Sequence, residues 1–472
     1  MLAGRKKIKT KVKFDYDVIV IGSGSAGFSS AEVARDLGAS VCIVEKAEVG
    51  GECPNWACVP TKAMLRSAKL YYQARYKLSE YGVHADGVTF NFSKIMQRKD
   101  NVIDTITGTG KKLDRIAKEL GIDVVKGEAI FLDAHTLKIA KKKISGKSII
   151  IATGSVDFVP PIDGIEQVGY LSFKDVVSLK RLPGSVAIAG GGPVGCEFAT
   201  FFSMLGSKVT ILQLAPQLLN HEDEEVSAVV ERMMRERRVN VLVNTKVLGV
   251  LKEGRKTRVT YQTGTNKRQS VAVDAFILSV GKRANVEDLK LEKAGVKLSD
   301  NGRLVVDEHL QTNIPNIFAA GDVSSSAMFT NVAHFEGSIA GYNAMQKRTQ
   351  SMRNIDIRVV PRVTFVEPEV ASVGITPLEA SKSKKAFSVS SFPVGALGRA
   401  VTEGERIGLI KIVIDKKTRM ILGGHMVGPQ AGEVIHEIAL AMHANLKVDE
   451  LESMIHAFPT YSEAVSAVAG GF

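Results

Sequence analysis

Cysteine is scarce in this chain: four among 472 residues cannot knit a disulfide framework, and no Cys/His group has the spacing of a zinc site. No metal site is therefore expected. No apolar run reaches the roughly eighteen residues that a membrane-spanning helix needs, and no apolar leader core precedes Asp15. A cytoplasmic protein without a membrane span is expected. Aromatic-basic recognition modules are also missing. The net charge is +12, but Arg5, Lys6, Lys7, Lys9, Lys11 and Lys13 supply six of those charges ahead of the first acid, Asp15, which leaves +6 for the rest. Residues 1–13 read as a solvated basic arm, and no nucleic-acid partner is expected. With 45% hydrophobic and 24% charged residues the remainder is ordinary globular protein, long enough for about two to four domains.

What is present is concentrated. Two of the four cysteines lie five positions apart in Gly50-Gly51-Glu52-Cys53-Pro54-Asn55-Trp56-Ala57-Cys58-Val59-Pro60-Thr61-Lys62. A helix rises about 1.5 Å per residue, so five residues span about 7.5 Å. A disulfide needs Cα atoms within roughly 7 Å, so a regular helix cannot close this pair. Pro54 and Pro60 point to an irregular turn that can. A cysteine in the first turn of the helix that follows has its thiolate favoured by the positive helix end. That combination describes a redox disulfide rather than a structural one. Cys42, within Val41-Cys42-Ile43-Val44, and Cys196, at the start of a helix, read instead as buried small hydrophobes.

Two strand–glycine turn–helix units frame the chain. In the first, Tyr16 to Ile21 is a strand, Gly22-Ser23-Gly24-Ser25-Ala26-Gly27 the turn, and a helix follows from about Phe28 to Leu37. The next strand, Ser40 to Val44, ends at Glu45. Gly22 makes the tight turn, Gly24 lets a pyrophosphate reach the backbone, Gly27 lets helix pack on strand, and Glu45 is placed to bind a ribose. The second unit repeats this with the strand Ser185 to Ala189, the turn glycines Gly190, Gly192 and Gly195, a helix to about Leu205, and a strand from Lys208 to Leu212 ending at Gln213. Two such sites imply two dinucleotides and hydride relay between them. Ile149 to Gly154 and Ala275 to Gly281 are the strands that close the two units, and Gly154 and Gly281 at their ends are placed with the cofactor-binding residues. Ile317 to Ala320 is a further apolar strand, with Asp322 at its tip. Beyond about residue 350, strands over 359–366 and 407–414 alternate with helices from Ala431 and Val448, as in a separate α+β domain.

In this order the motifs resemble the pyridine nucleotide–disulfide oxidoreductases, the FAD enzymes that include dihydrolipoamide dehydrogenase, glutathione reductase and mercuric reductase. The likeness runs from Phe14 to Ala464, and its most specific part is the family pattern Gly-Gly-x-Cys-x-Asn-x-x-Cys-x-Pro-[Ser/Thr]-Lys. It implies an α/β fold with two Rossmann-like dinucleotide-binding domains, for FAD and NAD(P), and a C-terminal α+β dimerisation domain. The boundaries expected are 14–155 and a return segment 285–350 for FAD, 156–284 for NAD(P), and 351–472 for dimerisation. By resemblance Gly22, Gly24, Gly27 and Glu45 hold the ADP half of FAD and Asp322 its ribityl chain, while Gly190, Gly192 and Gly195 cradle the nicotinamide dinucleotide. Cys58 is the thiol facing the flavin and Cys53 the outer thiol. Lys62 and Glu197 match the family's ion pair beside flavin and nicotinamide.

The carboxyl end departs from the pattern. Members that handle dithiols carry His-Pro-Thr-x-x-Glu, which in a homodimer reaches the partner's flavin site. Here the run is Phe458-Pro459-Thr460-Tyr461-Ser462-Glu463, so Glu463 is kept and the base position is Phe458. His456 or Tyr461 are the substitutes at hand, and His456 stands among the candidate catalytic residues. Mercuric reductases also lack the histidine but carry a cysteine pair near their carboxyl end, whereas this chain reads Val468-Ala469-Gly470-Gly471-Phe472. Soluble transhydrogenases lack the complete cysteine pair found here. Gln213 stands where an acid selects NADH, and residues 214–220 contain no Arg or Lys to meet a 2′-phosphate, so NADH is expected over NADPH. The leading expectation is an NAD(P)H:disulfide oxidoreductase like dihydrolipoamide dehydrogenase, a homodimer acting on a small-molecule or disulfide substrate. A reductase of metal ions or quinones, like mercuric reductase, is the enzymatic alternative. A flavin redox sensor without turnover is the other.

Overall fold

The computed structural model describes residues 13–108, 111–383 and 386–472; of the basic arm, Arg5 to Lys11 lie outside the described residues. The chain divides into two compact units. One takes in the described residues up to Asn55, with Ile106–Val156 and Arg283–Ile355; the other takes in Trp56–Thr105, Asp157–Lys282 and Asp356–Phe472.

The first unit is built on a parallel sheet in the order Ile122–Lys126, Val41–Glu45, Tyr16–Ile21, Lys142–Ile151, with Ile317–Ala319 pairing parallel to Lys142–Ile151. Parallel strands are covered on both faces, which is why Val18 to Ile21 and Ile149 to Ile151 read as unbroken apolar runs. Alternate residues serve opposite faces. Val18, Val20, Ile43 and Ile150 pack with Ala26, Ala31 and Ala34 of the helix Ser25–Asp36 and with Ile339 and Ala340 of Thr330–Ala344. Ile19, Ile21, Val44, Ile149 and Ile151 pack on the other side with Phe131, Leu137 and Leu304.

The first helix begins at Ser25, three residues before the expected start, so Gly27 lies inside its first turn. Gly24 is its extended cap residue (φ −64°, ψ −173°), and the N-terminal N–H groups therefore open directly onto the glycine turn. The strand expected from Ile149 is longer at its start, because Lys142 to Ser145 pair in a hairpin with Thr136–Ile139.

The second unit holds three sheets. Asn240–Leu242, Lys208–Leu212, Ser185–Ala189 and Ala275–Leu278 form a parallel sheet. Thr245–Glu253, Lys256–Thr263 and Gln269–Val273 form an antiparallel one. The third is antiparallel, in the order Arg362–Thr364, Glu369–Gly374, Ile421–Gly428, Leu409–Asp415, Phe387–Pro393. The strand expected over 359–366 is only Arg362–Thr364, with Pro361 immediately before it. Helices start at Ala431 and Val448, and a last helix is Glu463–Ala469.

Candidate active site

Each glycine turn is held by close backbone approach. In the first unit Gly22 sits at φ +99°, and a Cβ there would meet the Ala152 carbonyl at 2.4 Å. A Cβ on Gly27 would meet the Gly22 carbonyl at 1.9 Å. Gly24, by contrast, has nothing within 4 Å of that position. Two glycines are thus demanded by the fold, and the third leaves room for a ligand. Glu45 is buried and spans the turn: its Oε2 accepts from Ser23 N–H (2.9 Å) and Ser23 Oγ (2.6 Å), and its Oε1 from Ala47 N–H (2.7 Å). A carboxylate has about four acceptor sites, so about one remains for a ribose hydroxyl. Asp322, half-buried, accepts from Ser155 Oγ at 2.7 Å, and the N–H of Gly321 donates to the buried Glu336 at 2.6 Å. Burial pushes the Glu336 carboxyl up. Gly154 (φ +68°) is tied to Asn285, which donates its N–H to the Gly154 carbonyl at 3.0 Å.

The second unit repeats the device. Gly190 sits at φ +103° with its missing Cβ 2.3 Å from the Ser279 carbonyl; that of Gly195 would lie 2.0 Å from the Gly190 carbonyl; Gly192 is open. Gln213 is buried and takes the place of Glu45: Gly191 N–H donates to its Oε1 at 3.0 Å, and its Nε2 donates to the Gln217 carbonyl at 3.1 Å. The ribose contact expected of Gln213 is thus left to its one uncommitted N–H. Gly281 (φ +119°) is exposed and accepts from Phe158 N–H at 3.0 Å. The open spaces at Gly24 and Gly192, each at a helix N-terminus, fit the pyrophosphates of FAD and of a pyridine nucleotide.

The redox run follows the first turn. A Cβ on Gly51 (φ +69°) would meet Gly24 Cα at 2.6 Å, which seats the run against the fingerprint. Asn55 Nδ2 holds it there, donating to the carbonyls of Val49 (3.2 Å) and Gly51 (2.9 Å). Cys53 lies on the short helix Glu52–Asn55, and Cys58 is the first residue of the helix Cys58–Tyr76. The interruption at Trp56 and Ala57 is the irregular turn that the prolines foretold. Pro60, in the first turn, costs the helix no hydrogen bond. Both cysteines are half-buried. Cys42 and Cys196 are wholly buried, and burial pushes the Cys42 thiol up to about 12 and that of Cys196 further.

One turn along, Lys62 Nζ lies 2.9 and 2.8 Å from the two oxygens of Glu197, on the helix Pro193–Met204. The Lys62 side chain is 33% exposed and that of Glu197 6%, so the carboxylate is the desolvated partner. Phe365 completes the cluster, unforeseen from sequence: its N–H donates to Glu197 at 3.0 Å, and Lys62 Nζ stands 4.6 Å from its ring centre.

The C-terminal candidates are placed differently. His456 is turned inward, its Nε2 2.7 Å from Glu437 and its Nδ1 3.2 Å from the Met454 carbonyl, with 5% of its side chain exposed. Glu463 accepts from Thr460 N–H at 2.8 Å at the start of its helix, and Tyr461 is buried beside Glu403 at 3.3 Å. His456 and Glu463 are thus tied to separate partners. Ile455 and Phe458, in contrast, are 94% and 79% exposed. Among the described residues no helix is long and apolar enough to cross a membrane, and no group of three or more His, Cys, Asp or Glu is arranged to hold a metal ion.

Residues 16–337 match the family model described as pyridine nucleotide-disulphide oxidoreductase, and residues 360–469 match its dimerisation domain. A mercuric reductase of Staphylococcus aureus is 33% identical over 96% of this chain and 82% of its own length. A dihydrolipoyl dehydrogenase of Corynebacterium glutamicum is 34% identical over 97% of each. Among solved structures, a Cu(II) complex of the HOCl-induced flavoprotein disulfide reductase RclA from Escherichia coli superposes with a TM-score of 0.85 at 29% identity, over 96% of this chain and 99% of the other. The chain therefore belongs to the class I pyridine nucleotide–disulphide oxidoreductases, flavoenzymes that act on sulfur groups with FAD and a pyridine nucleotide.

Proposed function

We propose that this enzyme takes electrons from NADH and delivers them through the Cys53–Cys58 pair to an acceptor that thiolates engage without a proton shuttle, reducible metal ions being the class that fits. FAD, when bound, supplies the two-electron relay between nicotinamide and cysteine pair. The chain's own residues do the rest. Gly24 and Gly192 leave room for the two pyrophosphates, Glu45 and Asp322 orient the flavin nucleotide, and Lys62, anchored by Glu197, sets a positive charge at the relay. Cys58, at the head of a 19-residue helix, has its thiolate favoured by the helix end. Cys53 is the outer thiol.

The observation that carries the choice of acceptor is at the carboxyl end. Phe458 occupies the base position and is 79% exposed, while the imidazole of His456 is sequestered by Glu437. Dithiol–disulfide exchange with a substrate such as lipoamide needs a proton moved to and from a sulfur, help typically worth about 10²–10⁴-fold. Metal reduction by the thiolates does not: two thiolates and two Cu(II) ions give a disulfide and two Cu(I) ions, with no proton returned to a sulfur. The RclA relative described as a Cu(II) complex supports this class. A lipoamide cycle like that of dihydrolipoamide dehydrogenase is the slower second activity.

In the same reading the enzyme is a cytoplasmic homodimer in which exposed Ile455 and Phe458 meet the partner copy, and 14–155 with 285–350, 156–284 and 351–472 are its three functional domains. The neutral Gln213 and the exposed Leu214 after it offer no cation for a 2′-phosphate, which supports NADH. Steady-state oxidation of NADH and NADPH against Cu(II), mercuric ion, quinones, glutathione disulfide and lipoamide tests the proposal. A metal ion should give the highest kcat/KM, with NADH preferred; a higher value for lipoamide, or for NADPH, would refute the corresponding part.

A further inference from the structure

Gln213, set against a ribose at the second glycine turn, is held from well beyond its own strand. Gly191 N–H donates to its Oε1, and its Nε2 donates to the Gln217 carbonyl. The Gln217 side chain carries the link onward, its Nε2 donating to the Glu222 carbonyl at 3.2 Å. Glu222 is in turn gripped from the C-terminal antiparallel sheet. Arg362, on the strand Arg362–Thr364, lies with Nε 2.8 Å from Oε1 and Nη2 3.2 Å from Oε2. Ser372, on the neighbouring strand Glu369–Gly374, donates its Oγ to Oε2. Hydrogen bonds thus run unbroken from the glycine turn through Gln213, Gln217 and Glu222 to Arg362.

The loop crossed by these bonds, residues 214–222, is fixed at two further points. Leu219 N–H donates to the Gly191 carbonyl at 2.8 Å, and Leu218 Cδ2 stands 2.5 Å from where a Gly191 Cβ would be. At the far end Asp223 caps the helix Glu224–Glu236, and Lys411 Nζ lies 3.0 and 3.1 Å from its two oxygens. Two ion pairs from one sheet therefore end on adjacent residues. The side chains of Glu222 and Asp223 are 8% and 5% exposed. Burying an ion pair costs hydration on a scale comparable with the attraction gained, so such pairs are weak stabilisers, and what they fix best is geometry. An Arg fork that meets both oxygens of a carboxylate sets direction as well as distance.

We propose that Arg362 is a positioning residue for the pyridine nucleotide. By holding Glu222 it sets the loop 214–222, and through Gln217 it aims the uncommitted Gln213 N–H at a ribose hydroxyl of the adenosine half. This role rests on the assignment of Gly192 and Gln213 to the pyridine nucleotide given above. The Lys62 cluster is left out of it: Phe365, three residues on, makes its own bond to Glu197.

Stopped-flow reduction of the FAD-loaded enzyme over a range of NADH concentrations gives the Kd of the nucleotide and the limiting rate separately, with no acceptor present. Arg362→Met should raise the Kd at least fivefold and leave the limiting rate within twofold, as loss of uniform binding requires. Reduced nicotinamide mononucleotide, which has no adenosine half, should reduce wild type and variant with constants within twofold of each other. A merely structural role would weaken both donors alike; that result, or an unchanged Kd for NADH, overturns the proposal. Arg362→Lys keeps the charge and loses the fork, so its Kd should fall between wild type and Arg362→Met; a Kd no better than that of Arg362→Met overturns it too. Should Arg362→Met fail to fold, Gln217→Met cuts the same chain at a half-buried side chain. It should raise the Kd for NADH at least threefold and spare the mononucleotide, and no change overturns the proposal. Gly192→Ala separates the two claims. If it leaves the affinity for NADH untouched, the reading of the second glycine turn fails and this role with it. If it weakens NADH while Arg362→Met and Gln217→Met do not, the role of Arg362 alone falls.

Discussion

Replacing Lys62 by Met keeps the length of the side chain and the contact with the Phe365 ring but removes the charge. Glu197, 6% exposed, then keeps one N–H donor, from Phe365, and loses both contacts to Nζ. Breaking a buried pair from one side typically costs about 3–5 kcal/mol, because a buried charge is left uncompensated. The Lys62 end is one-third exposed, so solvent screens part of the attraction and the loss falls to about 2 kcal/mol. That corresponds to roughly 4–8 °C in Tm for a cooperative unit of a few hundred residues. Differential scanning calorimetry of the FAD-loaded enzyme reads it directly. Adding Glu197→Gln removes the stranded charge, so the double variant should recover at least half of the loss; a coupling of that size is ordinary for touching residues. The reasoning is refuted if Lys62→Met melts with the wild type. It is equally refuted if the two substitutions simply add.

Three other outcomes follow from the same geometry. Gly192→Ala meets no atom and Gly195→Ala meets a carbonyl at 2.0 Å, so the first should melt normally yet raise the KM for NADH at least tenfold, and the second should lose folded yield; equal effects on both would contradict the cradle. His425 is fully buried, and desolvation lowers its pKa below the usual 6.5, so it is neutral in the fold. Below about pH 6.5 the unfolded chain gains a proton that the fold refuses, and stability falls with pH at up to about 1.4 kcal/mol per unit. His425→Gln, which can still donate to the Ile375 carbonyl, should flatten that slope, and an unchanged slope would assign it to other groups. Phe458→His should raise lipoamide turnover at least tenfold and leave metal reduction within twofold; no gain with lipoamide would mean that the base is not what is missing.

The glycine turns were legible because their chemistry is local. A positive φ at Gly22 and Gly190 and a close approach at Gly27 and Gly195 follow from spacing along a strand, turn and helix. The first helix start was misplaced by three residues, since Gly27 belongs to the turn by motif and to the helix by hydrogen bonding. Lys62 and Glu197, 135 residues apart, were joined only by resemblance to a family, since no local spacing links them. Resemblance did not reach Phe365, which contributes a backbone N–H that any residue could offer. Nor did spacing reveal that His456 bonds Glu437, 19 residues away on the helix Ala431–His443, so a histidine close to the base position in sequence is withdrawn from solvent in the fold.

The central claim is that electrons leave through Cys53. Anaerobic NADH oxidation by the wild type and by Cys53→Ala, with Cu(II) as the acceptor and a dye-linked diaphorase assay as the control, tests it most directly. The account predicts that the variant keeps its diaphorase rate and loses Cu(II)-dependent oxidation by at least about 10²-fold, because a single thiol cannot close the disulfide through which two electrons leave. Cu(II) reduction undiminished in Cys53→Ala would contradict it.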